Sequence, residues 1–139
     1  MKIKLKLTLF FIILTYSNLI NSQNKSLAEK SSDNAISLII SGNYSNAIEE
    51  INSAIKLNPN NANYFYVRGT AYQKSNELLK ALTDYKQALK INPKHIDAIM
   101  KCGIVYGKLN DKNKACDYFK LACTYGDSEG CKVTSKFCN

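Results

Sequence analysis

Histidine is almost missing from this sequence: His95 is the only one in 139 residues. Any Ser–His or Cys–His nucleophile would have to share that single imidazole, and a histidine-rich metal set cannot be built from it. No Cys-x-x-Cys pair occurs, which removes the usual mark of a redox-active dithiol. No glycine-rich phosphate loop follows a strand-like run, and His, Asp and Glu are not gathered at metal-ligand spacing. The carboxylates of Glu49, Glu50, Asp111 and Asp117 fall on helix starts or outer faces. Long apolar runs are missing too. The longest, Leu7 to Tyr16, stops well short of the roughly 20 residues that span a bilayer. Together these absences argue against an enzyme, and against a bound cofactor or metal.

Basic residues are plentiful, at 19 Lys and Arg against 11 Asp and Glu, for a formal charge of +8. They do not form a stripe. Lys56, Lys74, Lys80, Lys90, Lys108 and Lys120 are spread over every predicted helix, which is the pattern of a solvated surface rather than a nucleic-acid face. Three more lysines, Lys2, Lys4 and Lys6, precede the apolar run, and a polar stretch follows to Ile20-Asn21-Ser22. That is the layout of a signal peptide over 1–22, with cleavage expected before Gln23. Removing it would take the charge from +8 to +5, since the segment carries those three lysines and no acid. The rival reading is an uncleaved anchor, but Asn18, Asn21 and Ser22 interrupt the run too early. No cysteine lies near the junction to carry a lipid. The expectation is export to a periplasm or the exterior, without membrane insertion after cleavage.

The remaining chain is periodic. The stretch from Ala62 to His95 reads as two short amphipathic helices, with Phe65, Gly69 and Tyr72 on one face and Ala81, Tyr85 and Ala88 on the next, closed by Asn92-Pro93. Shifting by 34 residues one way finds Ala47, Ile51, Ala54 and Pro59. Shifting the other way finds Gly103, Tyr106, Ala115, Phe119 and Ala122. A fixed period of this size means stacked helical hairpins. The small residues suit positions where helix axes come closest, and the aromatics suit the gaps beside them.

These residues resemble the tetratricopeptide (TPR) family, whose repeat has this length. The resemblance implies an all-α, right-handed α-solenoid of three hairpins, at 28–61, 62–95 and 96–129, followed by a C-terminal capping helix over 130–139. Gln23 to Leu27 is expected to be a polar, frayed lead-in, with the first helix from about Leu27 to Ile40. The first repeat matches least well, having Ser31 and Asn34 where the family has large apolar residues. In the second, Arg68 departs from the family's usual Leu. Its stem is expected to cover apolar surface while its charged head stays in water. His95 reads as a polar residue near a helix start.

The family implies binding of another protein or a peptide in the groove lined by the first helix of each hairpin. Carried over by position, the lining is Ser32 and Ile36, then Asn63, Tyr66, Thr70 and Gln73, then Asp97, Met100 and Ile104. Members that hold acidic chaperone tails use a clamp of Lys, Arg and Asn. Here Ser32, Ile36, Val67 and Asp97 occupy most of those places and only Lys101 remains, so that ligand is not expected. The expected function is an exported interaction adaptor. The alternative is a structural subunit of a larger envelope assembly that does not use the groove.

Five cysteines stand at 102, 116, 123, 131 and 138, all in the last third. In an exported chain they are expected to be oxidised where geometry allows. If the last repeat helix and the terminal helix form an antiparallel hairpin about Asp127, facing residues have a constant index sum. Cys123 then faces Cys131, and Cys116 faces Cys138. A four-cysteine zinc site does not fit, because the two pairs would lie about 10 Å apart at about 1.5 Å rise per residue, against zinc–sulfur bonds of about 2.3 Å. Four free buried thiols remain the other reading. Residues 120–131, KLACTYGDSEGC, also resemble the cysteine-rich end of Sel1-like repeats. Cys102, inward on its helix, reads as a buried free thiol.

Overall fold

The computed structural model describes the backbone of residues 2–138 and the side chains of residues 9–138. Among these residues there are seven helices and no strand: α1 Lys2–Ile40, α2 Tyr44–Leu57, α3 Ala62–Lys74, α4 Leu78–Ile91, α5 Ile96–Lys108, α6 Lys112–Thr124 and α7 Ser128–Phe137. Each helix packs on its neighbours in the chain, and α1 also touches α3. This is an α-solenoid of three hairpins, α1–α2, α3–α4 and α5–α6, with α7 folded on the last.

The first helix is much longer than the pattern predicted. It is continuous from Lys2, so the expected start near Leu27 and the frayed lead-in at 23–27 are both corrected. The reason is local. No glycine precedes Gly42 and no proline precedes Pro59, so nothing in this stretch breaks a helix. Its first half is nevertheless outside the packed body: Leu9, Phe10, Phe11, Ile12 and Ile13 are exposed, and the core begins at Ala28. Among the described residues, no helix is long and apolar enough to cross a membrane.

The turns repeat with the same period as the helices. Gly42, Asn76 and Asn110 adopt left-handed φ angles of 81°, 66° and 60°. The residue after each donates its N–H back to the last turn of the helix, Asn43 to Leu38, Glu77 to Tyr72 and Asp111 to Tyr106, at 2.8 to 2.9 Å. Glycine and asparagine tolerate this conformation better than other residues, which is why they mark the stop. The second helices of the first two hairpins end differently, at extended Asn58 and Asn92 before proline. After α6 the position falls on Gly126, with φ 88°. The chain therefore makes the tighter within-hairpin type of turn, and α7 folds straight back on α6. Its N-terminus is capped by Asp127, whose carboxylate accepts from the Gly130 N–H at 2.7 Å.

Small residues set the helix spacing. A Cβ on Gly69 would lie 2.8 Å from the Tyr85 ring, and one on Gly103 would lie 2.5 Å from the Phe119 ring. Gly130 meets the Ala122 methyl in the same way at 2.8 Å. Around these contacts Ala81, Tyr85, Ala88 and Ile99 are fully buried.

Arg68 does not keep its head in water. Its guanidinium makes two 2.7 Å bonds to the carboxylate of Asp84 on α4 and a third, also 2.7 Å, to Asn52 on α2. The Arg68 side chain is 22% exposed and that of Asp84 only 6%, so this is a half-buried fork that ties the first hairpin to the second. Hydrogen bonding to Asp84 raises the Arg68 pKa.

At the far end Cys116 pairs with Cys138 and Cys123 with Cys131, with Cα separations of 5.6 and 4.6 Å, consistent with the constant-sum register. Cys102 is free and buried against this core. Burial pushes its pKa up to about 12.

Candidate functional site

The first helices of the hairpins, α1, α3 and α5, lie side by side and leave a cleft of 410 Å³ between them. Helix α1 supplies Glu29, Ser32, Asp33 and Ile36, which fall on one face because they are three or four residues apart. Helix α3 and its cap supply Asn61, Asn63, Tyr64, Tyr66 and Val67, while the start of α5 supplies His95 and Asp97. A second, smaller cleft of 170 Å³ continues from Ile36, Tyr66 and Val67 toward the C-terminal ends of α1 and α3, where Ile39, Ile40 and Thr70 complete it. The groove thus has two chemically different halves. One is polar and acidic, and the other is apolar.

Two caps build the polar half. Asn61 accepts from the Asn63 N–H at 3.0 Å and starts α3. His95 Nδ1 accepts from the Ala98 N–H at 3.3 Å and starts α5. With Nδ1 used as an acceptor, Nε2 carries the hydrogen and donates to Asn63 Oδ1, 2.9 Å away. The His95 ring lies 5.1 Å from that of Tyr66, which in turn lies 5.9 Å from Tyr85. Tyr66 also packs against all three core clusters. Burial raises its pKa, and the Asp97 carboxylate adds to this.

Tyr64, which lines the cleft, is 3% exposed, and its hydroxyl makes no hydrogen bond of good geometry among the described residues, the Asn61 side chain alone coming near it. Burial raises its pKa; the Asn61 side chain opposes the shift, and the charges on Glu29 and Asp33 reinforce it. Ser32 is also buried, at 7% exposed, and forms part of the floor rather than the rim.

Of the nine lining residues carried over by repeat position, Ser32, Ile36, Asn63, Tyr66 and Asp97 meet in the first cleft, and Thr70 joins the second. The other three line neither of these two clefts. The Gln73 side chain accepts from the buried Tyr85 hydroxyl at 2.7 Å, and Met100 packs into the core between the second and third hairpins. Ile104 is 36% exposed. Repeat position alone missed Glu29, Asp33, Tyr64 and His95. The first two carried a signal, since residues 29, 33 and 36 share a helical face. Tyr64 carries no signal that sets it apart among the nine tyrosines, and His95 reads from the sequence only as a polar residue near a helix start.

The chain carries tetratricopeptide repeats and has the solenoid fold of TPR domains. Residues 37–76 match the family described as TPR repeat, and residues 62–95 match the tetratricopeptide repeat itself. Among solved structures the chain is similar to the OM64 TPR domain of Arabidopsis, at 24% identity and TM-score 0.76, over 81% of this chain and 94% of that one. It is similar to the second TPR of Spaghetti (RPAP3) bound to the HSP90 peptide SRMEEVD, at 26% identity and TM-score 0.70, over 74% and 95% of the two chains. The second TPR domain of human RPAP3 in complex with the HSP70 peptide SGPTIEEVD gives 21% identity and TM-score 0.73, over 86% and 98%. No curated protein matches the chain.

Proposed function

We propose that this protein is an exported adaptor that captures an extended peptide segment of a partner in the groove between α1, α3 and α5. The observation that carries the reading is the continuity of the two clefts through Ile36, Tyr66 and Val67, which makes one long, preformed trough on rigid helices. A preformed site lowers the ordering cost of binding a flexible chain. The RPAP3 domains bound to chaperone peptides show this fold serving that purpose in other proteins. Those peptides end in acidic residues, whereas here Ser32, Ile36, Val67 and Asp97 stand in the groove. The chaperone tail is therefore not the ligand proposed. Export rests on the lysine-led apolar run ahead of Gln23 and on the paired cysteines.

The test is crosslinking and pull-down with the full chain beside an Ile36→Ala/Thr70→Ala variant. Both side chains stand on the trough, and Ile36 is 41% exposed. Loss of the captured partner with unchanged helicity is the expected result. Equal capture by both forms would move the site off the groove. It would favour a structural subunit using another surface, such as the cleft lined by Leu78, Leu79 and Leu109, where Leu79 is 70% exposed.

A further inference from the structure

Resting on the groove reading, we infer that the segment captured is cationic: an extended peptide presenting Lys or Arg side chains to the half of the trough near the N-terminus of α3, followed by an apolar residue in the half beyond Ile36. The distribution of charge is the first reason. Basic residues outnumber acids 19 to 11 in this chain, yet the 410 Å³ cleft holds Glu29, Asp33 and Asp97 and no Lys or Arg. A surface charged at random from this composition would reverse that balance. All three carboxylates are exposed to solvent, and none of them has an ion-pair partner among the described residues.

Two helix N-termini open on the same end, those of α3 and α5, and their dipoles favour anions. Each is worth roughly half a charge at most, and each is already capped, by Asn61 and His95. Three formal negative charges outweigh them.

The second reason is independent of charge. The Tyr64 hydroxyl is buried in the wall of this cleft, with the Asn61 side chain near it but no hydrogen bond of good geometry among the described residues. A buried polar group left unpaired is costly, and native proteins rarely leave one so. A peptide backbone running along the floor offers it either a carbonyl or an N–H. The apolar half then sets the order of the ligand. Ile36, Ile39 and Ile40 lie toward the C-terminal end of α1, and Glu29 and Asp33 lie before them. The cation must therefore come at one end of the bound segment and the apolar side chain at the other.

The experiment is a fluorescence-anisotropy titration of the full chain at low salt. One fluorescein-labelled decapeptide is built of Lys, Arg and Leu, and its twin has Glu and Asp in place of the cations. The cationic peptide is expected to bind, and its affinity to fall about tenfold in a Glu29→Gln/Asp33→Asn/Asp97→Asn variant, as for three lost solvent-facing ion pairs. A control that removes three carboxylates elsewhere, Glu49→Gln/Glu50→Gln/Asp117→Asn, is expected to bind as the parent does. Stronger binding of the acidic twin overturns the inference, and so does an equal loss in the control. If Ile36→Ala abolishes binding of both peptides alike, the groove reading stands and the cationic assignment falls. If Ile36→Ala changes nothing, the groove reading falls as well. A chain that dimerises, and becomes monomeric in the triple variant, would place a second copy in the trough and overturn the peptide assignment.

Discussion

Replacing Arg68 by Met tests the link between the first two hairpins. The substitution keeps the apolar stem but removes the guanidinium that holds Asp84 and Asn52 at 2.7 Å. Asp84 is 4% exposed and forms no other ion pair among the described residues, so its carboxylate would be left unpaired in a nearly dry site. Breaking a fully buried pair costs about 3–5 kcal/mol. Because the Arg68 side chain is 22% exposed, screening and water access bring the expected loss to about 3 kcal/mol. For a chain of this size that corresponds to a fall of about 10 °C in Tm. Replacing both partners, Arg68→Met/Asp84→Leu, removes the buried charge together with its cation and is expected to recover most of the loss, as apolar replacements of buried pairs often do. Thermal and urea melts of parent, single and double variants, followed by far-ultraviolet circular dichroism, give the coupling energy, expected to be about 2 kcal/mol. A single variant within about 0.5 kcal/mol of the parent, or strictly additive changes, would show that the fork carries no stability and refute the reasoning.

Gly103→Ala and Gly107→Ala are expected to act oppositely in the same melts. The first drives a Cβ to 2.5 Å from the Phe119 ring, while the second meets nothing within 4 Å. The helix-propensity gain of about 1 kcal/mol then appears only at Gly107, and overpacking outweighs it at Gly103. Removing the Cys116–Cys138 bridge, which closes 22 residues, is expected to cost about 3 kcal/mol, and the 8-residue Cys123–Cys131 bridge about 2.5 kcal/mol, measured as paired Ser variants. Equal stability with and without reductant would refute both figures. Cys102 is expected to resist iodoacetamide in the folded chain and react once denatured, as mass spectrometry would read. Its pKa is raised from 9.0 to about 12, so the folded state keeps a proton that the unfolded state loses. Stability present below pH 9 is therefore lost as pH rises toward 12, and Cys102→Val should flatten that decline.

The fold was legible because its determinants are local and repeated. Gly69 and Gly103 sit 34 residues apart, as do Pro59 and Pro93, and a periodic set of small, aromatic and breaking residues admits few packings. The structure is consistent with the cysteine register too, since two spacings of seven on adjacent antiparallel helices can bring both pairs face to face. The length of α1 was not legible, because the repeat pattern starts only at residue 28 and no glycine or proline before residue 42 marks an end to the helix. Arg68 was misjudged because its partners lie 16 residues away on either side, on two other helices.

Apart from the start of α1, the sequence by itself determined the helices, their stops and the order in which they stack, because capping, left-handed turns and 3.6-residue periodicity act within a few residues of one another. Only the tertiary structure decided what the groove is made of. Glu29 and Asp33 from one helix, the buried Tyr64 hydroxyl from the next, and His95 and Asp97 from a third come together across up to 68 residues of chain. Met100, one helical turn from Asp97, turns into the core instead. Repeat position says which helix faces the trough, but the packing of three helices against one another decides which side chains reach it and what charge it carries.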